Sequence, residues 1–147
     1  MDVLVDTSVW IDYFKGGSSS NNLDFLIDDN LIVINEVVLA ELIPYLKIKK
    51  HTNVIKLLNE INKISLNIDW DKIIEYQVKC LRSGANGAGI PDLIIAQNAL
   101  QNDCRVYSLD RHFRLLSEVL GVKLLKVGRS EERRVEKECR SRWSPYH

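Results

Sequence analysis

Four acidic residues, each within or directly beside an apolar run, are the residues of this 147-residue chain best suited to chemistry. They occur in the segments VLVD, VVLAEL, IPDLIIA and VYSLD, as Asp6, Glu41, Asp92 and Asp110. Moving a carboxylate from water into a protein costs several kcal/mol unless another group compensates its charge. No matching run of Lys or Arg stands beside these acids, so we expect them to share a bound divalent cation.

The donor set indicates which cation and which reaction the four acids fit. Carboxylates a few ångströms apart cannot all stay ionised without a cation, so an empty site holds protons at raised pKa values. Because the set contains only oxygen ligands, Mg²⁺ or Mn²⁺ suits it better than zinc. Such an ion can activate water and stabilise charge on a phosphodiester under in-line attack. The sequence therefore predicts metal-dependent phosphodiester hydrolysis.

Each of the four acids also has a purely structural interpretation. Asp6 could order the turn from a strand into a helix, and Asp110 could cap a helix. Asp92 could complement a helix dipole from the first turn. Glu41 is harder to explain in this way, because its apolar neighbours suggest a partly buried setting. These interpretations stay open, and chemistry is favoured because all four acids are directed to the same end of one sheet.

Hydroxyl, imidazole and basic side chains near the acids are weaker candidates. Ser8 and Ser108 could hydrogen-bond the acids or metal-bound water, or could simply end a turn and a strand. His112 could assist phosphate binding, although a packed or surface histidine is the commoner case. Three cations on predicted helices are Lys79, Arg82 and Arg111. They could contact a nucleic-acid backbone or could simply be solvated.

Alternating strands and helices are the elements expected to position the acids. The predicted strands cover residues 2–6, 31–34, 64–68, 105–109 and 122–126. The predicted helices cover residues 8–15, 23–28, 36–48, 52–63, 70–83, 91–102 and 111–119. Strands made of continuous Val, Leu and Ile runs indicate an α/β fold with a central parallel sheet flanked by helices. We expect Asp69 to cap a helix and Pro44 to kink or end one.

The strand order 3-2-1-4-5 would bring the acids to one crevice. In open parallel sheets, ligands bind outside the carboxyl ends of the strands, where the strand order reverses. Asp6 closes the first strand and Asp110 follows the fourth, and these two strands are central neighbours in that order. Glu41 lies on the helix leaving the second strand, and Asp92 opens the helix before the fourth. All four side chains can then reach the same edge.

Composition and cysteine content are typical of a globular protein in a reducing compartment. Hydrophobic residues make up 46% of the sequence, and a formal net charge of zero gives no strong electrostatic footprint for nucleic acid. Three widely spaced cysteines support neither a disulfide framework nor a zinc site. No apolar run approaches the roughly 20 residues that cross a bilayer, and the N-terminus lacks a secretory pattern. We expect a cytoplasmic protein with no membrane contact.

We interpret residues 1–127 as one domain and residues 128–147 as a charged tail outside it. Half of the twenty tail residues are charged, and the tail has no strand period and little apolar face. Its sequence resembles translated adaptor or vector read-through, which leads to the hypothesis that it is non-native. Without its six basic and four acidic residues, the 20 basic and 20 acidic residues of the chain become 14 and 16. The intact mass of the protein from its native host would test the hypothesis.

Four segments in the order VLVDTSVWIDYF, NEVVLAEL, GIPDLIIAQNAL and VYSLDRHF resemble the motifs of PIN-domain ribonucleases, specifically the VapC-like toxins of type II toxin–antitoxin pairs. The resemblance runs from residue 2 to about residue 127. Each motif is short, but four in the right order and spacing are specific. The resemblance implies a PIN-like three-layer fold, a Mg²⁺- or Mn²⁺-dependent endoribonuclease site, an RNA substrate, a homodimer and a cognate antitoxin.

The resemblance also assigns roles to residues. The acidic quartet of the family is matched by Asp6, Glu41, Asp92 and Asp110. Direct metal contact is implied for Asp6 and Asp92, and contact through water or a second ion for Glu41 and Asp110. The family's small hydroxyl positions near the first and last acids are matched by Ser8 and Ser108. In such pairs the antitoxin's C-terminal segment covers the groove and can place a basic side chain against the acids.

Three other functions are kept as alternatives. A PIN-like nuclease of DNA or of RNA maturation would share the site and have no antitoxin. A receiver-like phospho-acceptor domain would carry an acidic doublet at the first strand and a Lys after a late strand, where this chain has Ser108-Leu109-Asp110. A non-catalytic interaction module would keep the fold without nuclease activity. Pro44 and Pro91 depart from the family pattern and could shift a ligand slightly.

Overall fold

A four-stranded parallel sheet forms the centre of the molecule. The computed structural model describes residues 1–84 and 87–125. The strands are β1 (Val3–Val5), β2 (Ile32–Ile34), β3 (Asn62–Lys63) and β4 (Arg105–Tyr107), in the order β3-β2-β1-β4. Beyond β4 a fifth segment joins through an isolated parallel bridge between Val106 and Leu124. The four strands follow the predicted order 3-2-1-4-5, and its fifth member is reduced to this bridge.

Seven helices accompany the sheet within the described residues. They are α1 (Thr7–Phe14), α2 (Asn22–Asp28), α3 (Glu36–Ile48), α4 (Thr52–Leu58), α5 (Trp70–Arg82), α6 (Ile90–Gln101) and α7 (His112–Leu120). Helices flank the sheet, which confirms the predicted three-layer α/β class. β1 and β2 are buried along their whole length. That burial explains why these strands are uninterrupted runs of Val, Leu and Ile.

The prediction of a strand over residues 64–68 is wrong. These residues alternate between half-buried and exposed, so the sequence pattern reflects a one-sided contact with the core. Side-chain amides of α6 donate to carbonyls that would otherwise accept hydrogen bonds from a neighbouring strand. Asn98 donates to Ser65 O, and Gln101 donates to Asn67 O. The segment is therefore hydrogen-bonded to α6, and the short strand β3 ends directly before it in the chain.

Most predicted helix ends lie within one residue of the observed ends. The exception is α4, which ends at Leu58 and not at residue 63. Pro44 does not end α3, which continues to residue 48. The proline removes the hydrogen bond to the Ala40 carbonyl, and because Ala40 is exposed, water can satisfy that group. Asp69 caps α5 as predicted, accepting a hydrogen bond from Lys72 N at 3.2 Å.

The C-terminal predictions fall partly outside the described residues. The strand predicted over residues 122–126 contributes only the bridge at Leu124 up to residue 125. The predicted domain end at residue 127 and the tail at residues 128–147 lie beyond the described residues. Among the helices that the structure describes, none combines the length and the apolar character needed to cross a bilayer.

Aromatic side chains of α1 fix this helix in the core. Trp10, Tyr13 and Phe14 are fully buried, and the rings of Trp10 and Phe14 stack with centroids 5.7 Å apart. The Tyr13 hydroxyl donates to the buried Asp24 carboxylate at 2.6 Å, which ties α1 to α2. Burial of such large rings is a major source of stability. It holds the beginning of α1, where the first acid lies, against the end of β1.

Candidate active site

Asp6 lies directly after β1, at the carboxyl edge of the sheet, with 6% of its surface exposed. Its backbone N–H donates to Tyr107 O of β4 at 2.8 Å, so the sheet itself positions the residue. Two hydroxyls donate to one carboxylate oxygen, Oδ2: Ser8 Oγ at 2.7 Å and Ser108 Oγ at 2.9 Å. Within the described residues Oδ1 receives no hydrogen bond. That oxygen can accept an outside ligand.

Ser8 and Ser108 join the ends of β1 and β4. Their Oγ atoms are 3.3 Å apart. Ser8 Oγ accepts a hydrogen bond from Leu109 N, and Ser108 Oγ accepts one from Asp110 N, each at 3.0 Å. The two serines predicted as auxiliary residues therefore contact the first acid and also position the loop that carries the last one.

Glu41 reaches the same edge from α3. The residue is solvent-exposed, and Thr7 Oγ1 at the start of α1 donates to its Oε1 at 3.1 Å. Neighbouring groups displace part of the water around the carboxylate, and this desolvation raises the pKa of Glu41 above its ordinary value. The Thr7 hydrogen bond lowers the pKa, and the charges of Asp6 and Asp92 raise it. Glu41 is therefore close enough to two other acids to interact electrostatically with them.

Asp92 is the third residue of α6 and is partly buried. Its Oδ2 accepts a hydrogen bond from Gly89 N at 3.1 Å, in a capping box at the start of the helix. Desolvation raises the pKa of Asp92 above its ordinary value, and the Gly89 hydrogen bond lowers it. The charges of Asp110 and Asp6 raise the pKa further, while His112 lowers it. Asp92 thus interacts electrostatically with the acids that follow both central strands.

Asp110 and His112 form a contact at the start of α7. Asp110 Oδ1 accepts a hydrogen bond from His112 N at 2.9 Å, and His112 Nδ1 lies 3.1 Å from the same oxygen. The imidazole Nδ1 is also 3.9 Å from Asp92 Oδ2. One ligand atom from each of these three residues lies within 4.8 Å of the others. The histidine that was a weak candidate in sequence therefore stands beside two of the acids.

A buried pair of asparagines positions the two helices that carry Glu41 and Asp92. Asn35 caps α3 by accepting from Val38 N at 3.0 Å, and its side-chain amide donates to Asn98 Oδ1 of α6 at 2.8 Å. Both asparagines are almost fully buried. This pair is not among the residues predicted from the sequence. An asparagine directly after an apolar strand, matched by one within an apolar helix, is the only sequence signal that could have suggested it.

The structure brings all four predicted acids to one edge of the sheet. We refer to Asp6, Glu41, Asp92 and Asp110 as the acidic cluster. Mutual repulsion links Asp6, Glu41 and Asp92, and it links Asp92 to Asp110. The structural interpretations hold as well, because Asp6, Asp92 and Asp110 each accept a hydrogen bond from a backbone N–H near a helix start. Each of these three side chains can orient a helix and still present a carboxylate oxygen.

The residues present fit a divalent cation. In residues 1–84 and 87–125, no Lys or Arg forms an ion pair with the acidic cluster, and His112 is the partner of Asp92 and Asp110. Four ionised carboxylates would leave a large negative charge without a basic side chain of Lys or Arg to compensate it. Carboxylate oxygens are ligands that Mg²⁺ and Mn²⁺ accept, whereas the nearby His112 adds an imidazole to the oxygen-only set expected from sequence. The assignment of individual metal contacts to these residues stays a prediction.

The fold and the site agree with a comparison against protein families. The chain belongs to the PIN domain family, whose model matches residues 3–119. The matched span contains the acidic cluster and both serines. PIN domains are nucleases that use divalent metal ions, so the class that fold and site define is a phosphodiester hydrolase. Membership of this family sets aside the receiver-like alternative.

Two solved structures with a similar fold are toxin–antitoxin complexes. The first is VapBC2 from Rickettsia felis bound to a DNA fragment from its promoter, with a TM-score of 0.68 and 20% identity over 87% of this chain and 100% of that chain. The second is DNA-bound VapBC from Salmonella typhimurium, with a TM-score of 0.67 and 16% identity over 85% of this chain and 97% of that chain. At such identities the similarity shows the fold alone. No curated protein sequence matches the chain.

Proposed function

We propose that this protein is a divalent-metal-dependent endoribonuclease that acts in the cytoplasm as the toxin of a toxin–antitoxin module. The observation that carries the proposal is the acidic cluster at the carboxyl edge of the sheet, in a chain that belongs to the PIN domain family. Such a cluster suits hydrolysis of a phosphodiester, whose developing negative charge needs a cation. The fold shared with two VapBC complexes supports the toxin assignment.

The cation, Mg²⁺ or Mn²⁺, would supply a Lewis acid and an activated water when bound. Asp6 and Asp92 would hold it directly, and Glu41 and Asp110 would hold it through water or through a second ion. The hydroxyls of Ser8 and Ser108 keep the Asp6 carboxylate in one orientation by donating to Oδ2. The remaining oxygen of each direct ligand is then presented in a fixed place, which is the preorganisation that metal-assisted catalysis requires.

Glu41 has the properties of a proton acceptor for the attacking water. Thr7 occupies its Oε1 as a hydrogen-bond donor, which leaves Oε2 for water. The pKa of Glu41 is raised by desolvation and by neighbouring carboxylates. A base is most effective when its pKa lies near the working pH, and in the metal-free protein the pKa of Glu41 is displaced in that direction.

The test of this proposal is cleavage of single-stranded RNA by Asp6→Asn and Asp92→Asn variants in Mn²⁺. Each substitution removes a negative ligand and keeps an oxygen that can accept the capping hydrogen bond, so the rate should fall by about 100-fold or more. Asp69→Asn is the matched control, because Asp69 also caps a helix and lies outside the acidic cluster. Full activity of either cluster variant would defeat the proposal.

Substrate choice separates the proposed function from its nearest alternative. Single-stranded RNA and DNA of the same sequence should be compared with the same enzyme preparation. Cleavage of RNA alone supports the endoribonuclease, and preferred cleavage of DNA supports the DNA-directed alternative. Folded protein that cleaves neither in Mn²⁺ would support the non-catalytic interaction module.

A cognate antitoxin is the first partner that we propose. The matched structures contain antitoxins bound to their toxins, and the uncompensated charge of the acidic cluster would accept a basic side chain from such a partner. Expression of the wild-type protein should arrest growth of its host, and Asp6→Asn should not. Co-expression of the adjacent reading frame should restore growth. Arrest that no neighbouring gene product relieves would favour a nuclease without an antitoxin.

A second copy of the chain is the other partner that we propose, docked through α5. Four exposed apolar residues recur every three or four positions on this helix and so share one side: Trp70, Ile74, Val78 and Leu81. The first half of the helix carries Asp71, Glu75 and one cation, Lys72, which is paired with Glu75 at 3.3 Å, and the second half carries Lys79 and Arg82. An antiparallel copy would place opposite charges against each other. The surface is therefore complementary to itself.

The α5 proposal predicts the oligomeric state of two variants. Ile74→Asp places a charge in the shared apolar surface, so light scattering after size exclusion should show a monomer where the wild type is a dimer. Ile48→Asp is the matched control, because Ile48 is 80% exposed at the end of a different helix. A monomeric wild type, or a dimer that survives Ile74→Asp, would contradict the proposal.

A further inference from the structure

A recess of about 360 Å³ opens beside the acidic cluster, at the end of α5 and the start of α7. The residues that line it are Gly84, Gly87, Arg111, His112, Arg114 and Leu115. Its residues with polar side chains are two arginines and a histidine, and its other residues are two glycines and a leucine. Guanidinium groups bind phosphate through planar, bidentate hydrogen bonds. The lining has the chemistry of a phosphate site.

Both guanidinium groups in the recess are free of carboxylate partners. The ion pairs within residues 1–84 and 87–125 involve lysines and His112, and none involves Arg111 or Arg114. Both arginines are exposed. Residues three apart at the start of a helix lie on the same side, so the two charges can act on one ligand.

His112 lines the recess and also lies beside two residues of the acidic cluster. Its Nδ1 lies 3.1 Å from Asp110 Oδ1 and 3.9 Å from Asp92 Oδ2. Gly87 approaches the other side of the ring so closely that a Cβ at this position would lie 2.7 Å from Nε2. The imidazole therefore contacts the carboxylates on one side and approaches Gly87 on the other, and a side chain at residue 87 would have to displace it.

An RNA strand that approaches the acidic cluster needs positive charge from outside it. A bound cation would compensate the carboxylates and the phosphodiester to be cleaved, but the neighbouring phosphates would remain uncompensated. The whole chain carries a formal net charge of zero, so no general attraction holds the strand. Two unpaired arginines beside the cluster supply this charge locally.

We propose that the recess binds a backbone phosphate of single-stranded RNA next to the scissile phosphodiester, with Arg111 and Arg114 as its ligands. The inference rests on the proposed RNA substrate and goes beyond it by naming the residues that hold the strand. Phosphate contacts fix the position of a nucleic acid without reading its bases. The recess therefore contributes to RNA affinity and to KM, and the acidic cluster performs the chemical step.

A recess at the opposite edge of the sheet provides a matched control. It has a volume of about 450 Å³ and contains two basic residues, Arg105 and Lys123. Arg105 begins β4, whereas the acids lie beyond the other end of that strand. Lys123 is already paired with Asp103 at 3.1 Å. Neutralising these two residues removes the same formal charge from the chain without touching the proposed phosphate site.

The experiment measures binding of a fluorescein-labelled single-stranded RNA to the full chain in EDTA, where metal-dependent cleavage is off. Fluorescence anisotropy is recorded from 50 to 300 mM KCl for wild type, Arg111→Gln/Arg114→Gln and Arg105→Gln/Lys123→Gln. Loss of the two arginines that hold this one phosphate should reduce the slope of log affinity against log salt by about 0.7, the contribution of each neutralised phosphate of a single strand. The affinity at low salt should fall by about tenfold or more, and the control should match the wild type.

Equal losses in both double variants, or no loss in Arg111→Gln/Arg114→Gln, would overturn the inference. Cleavage in Mn²⁺ separates this failure from failure of the proposed function. If the wild type cleaves RNA and the recess variant keeps its KM, the recess inference alone fails. If the wild type does not cleave RNA but the recess variant still loses affinity, the recess stands as an RNA-binding site and the nuclease proposal fails. A raised KM with kcat unchanged is the expected result.

Discussion

At the scale of single residues, Asp6 shows how one side chain serves both folding and chemistry. It is buried at the end of β1, caps α1 and accepts two hydroxyl hydrogen bonds on one oxygen. The residue type and its place after an apolar strand were visible in sequence, and so were Ser8 and Ser108. Which atoms meet was not visible, because a hydrogen bond between residues 8 and 108 depends on the pairing of β1 with β4.

The double variant Ser8→Ala/Ser108→Ala tests this arrangement. Removing both hydroxyls leaves a buried carboxylate without its side-chain donors, which should lower the free energy of unfolding by about 1–3 kcal/mol for each lost donor. Urea denaturation in EDTA measures the change. Ser65→Ala is the control, because Ser65 is exposed and the hydrogen bond that it accepts, from Asn98, is made by its backbone carbonyl and not by its hydroxyl. Unchanged stability of the double variant would show that the hydroxyls do not hold Asp6.

The acidic cluster should also make the metal-free protein sensitive to pH. Burial raises the pKa of Asp92 above the ordinary 3.8, and nearby acids raise it further. A carboxyl whose pKa rises on folding contributes stability that is fully present below its unfolded value and is lost as pH rises through the folded value. At neutral pH, ionised Asp92 therefore destabilises the metal-free fold.

Asp92→Asn in EDTA should accordingly raise the melting temperature by a few degrees at pH 7. The amide oxygen can still accept the hydrogen bond from Gly89 N, so the helix cap is kept. The difference from wild type should shrink as the pH falls toward the ordinary pKa, where the wild-type carboxyl becomes protonated. Thermal melts at several pH values measure it. A difference that does not vary with pH would contradict the assigned cause.

At the scale of secondary structure, the helices were predicted closely and two strands were not. Strong apolar periodicity and caps such as Asp69 define helix ends locally. The segment 64–68 has the alternation of a strand, but side-chain amides of α6 donate hydrogen bonds to its carbonyls. Competition of this kind depends on residues more than 30 positions away. The local sequence pattern therefore correctly indicated that this segment contacts the core, but it wrongly indicated a strand.

The buried asparagine pair carries the prediction at this scale. Asn98→Ala leaves the Asn35 amide and the Ser65 carbonyl without their partner, so the free energy of unfolding should fall by about 1–3 kcal/mol. Catalytic activity under conditions where the variant is folded should also fall, because α3 and α6 carry Glu41 and Asp92. Asn53→Ala, at an exposed position of α4, is the control. Wild-type stability and activity of Asn98→Ala would show that the pair does not position the site.

At the scale of the whole molecule, function depends on strand order. Placing β1 and β4 side by side sets Asp6 and Asp110 at one edge, and the helices that carry Glu41 and Asp92 begin at the same edge. The acids come from positions spread over more than 100 residues. Their convergence was predictable because parallel sheets with this order place ligands at the carboxyl edge. The basic recess was not, because it requires α5 and α7 to be packed together.

Calorimetric titration of the metal-free wild type and of Asp6→Asn with Mn²⁺ at neutral pH is the measurement that tests the central claim most directly. The wild type should take up at least one ion per chain, and Asp6→Asn should bind at least about tenfold more weakly. Circular dichroism should show both proteins folded. Folded wild-type protein that takes up no Mn²⁺ would contradict the shared-cation account of the four carboxylates.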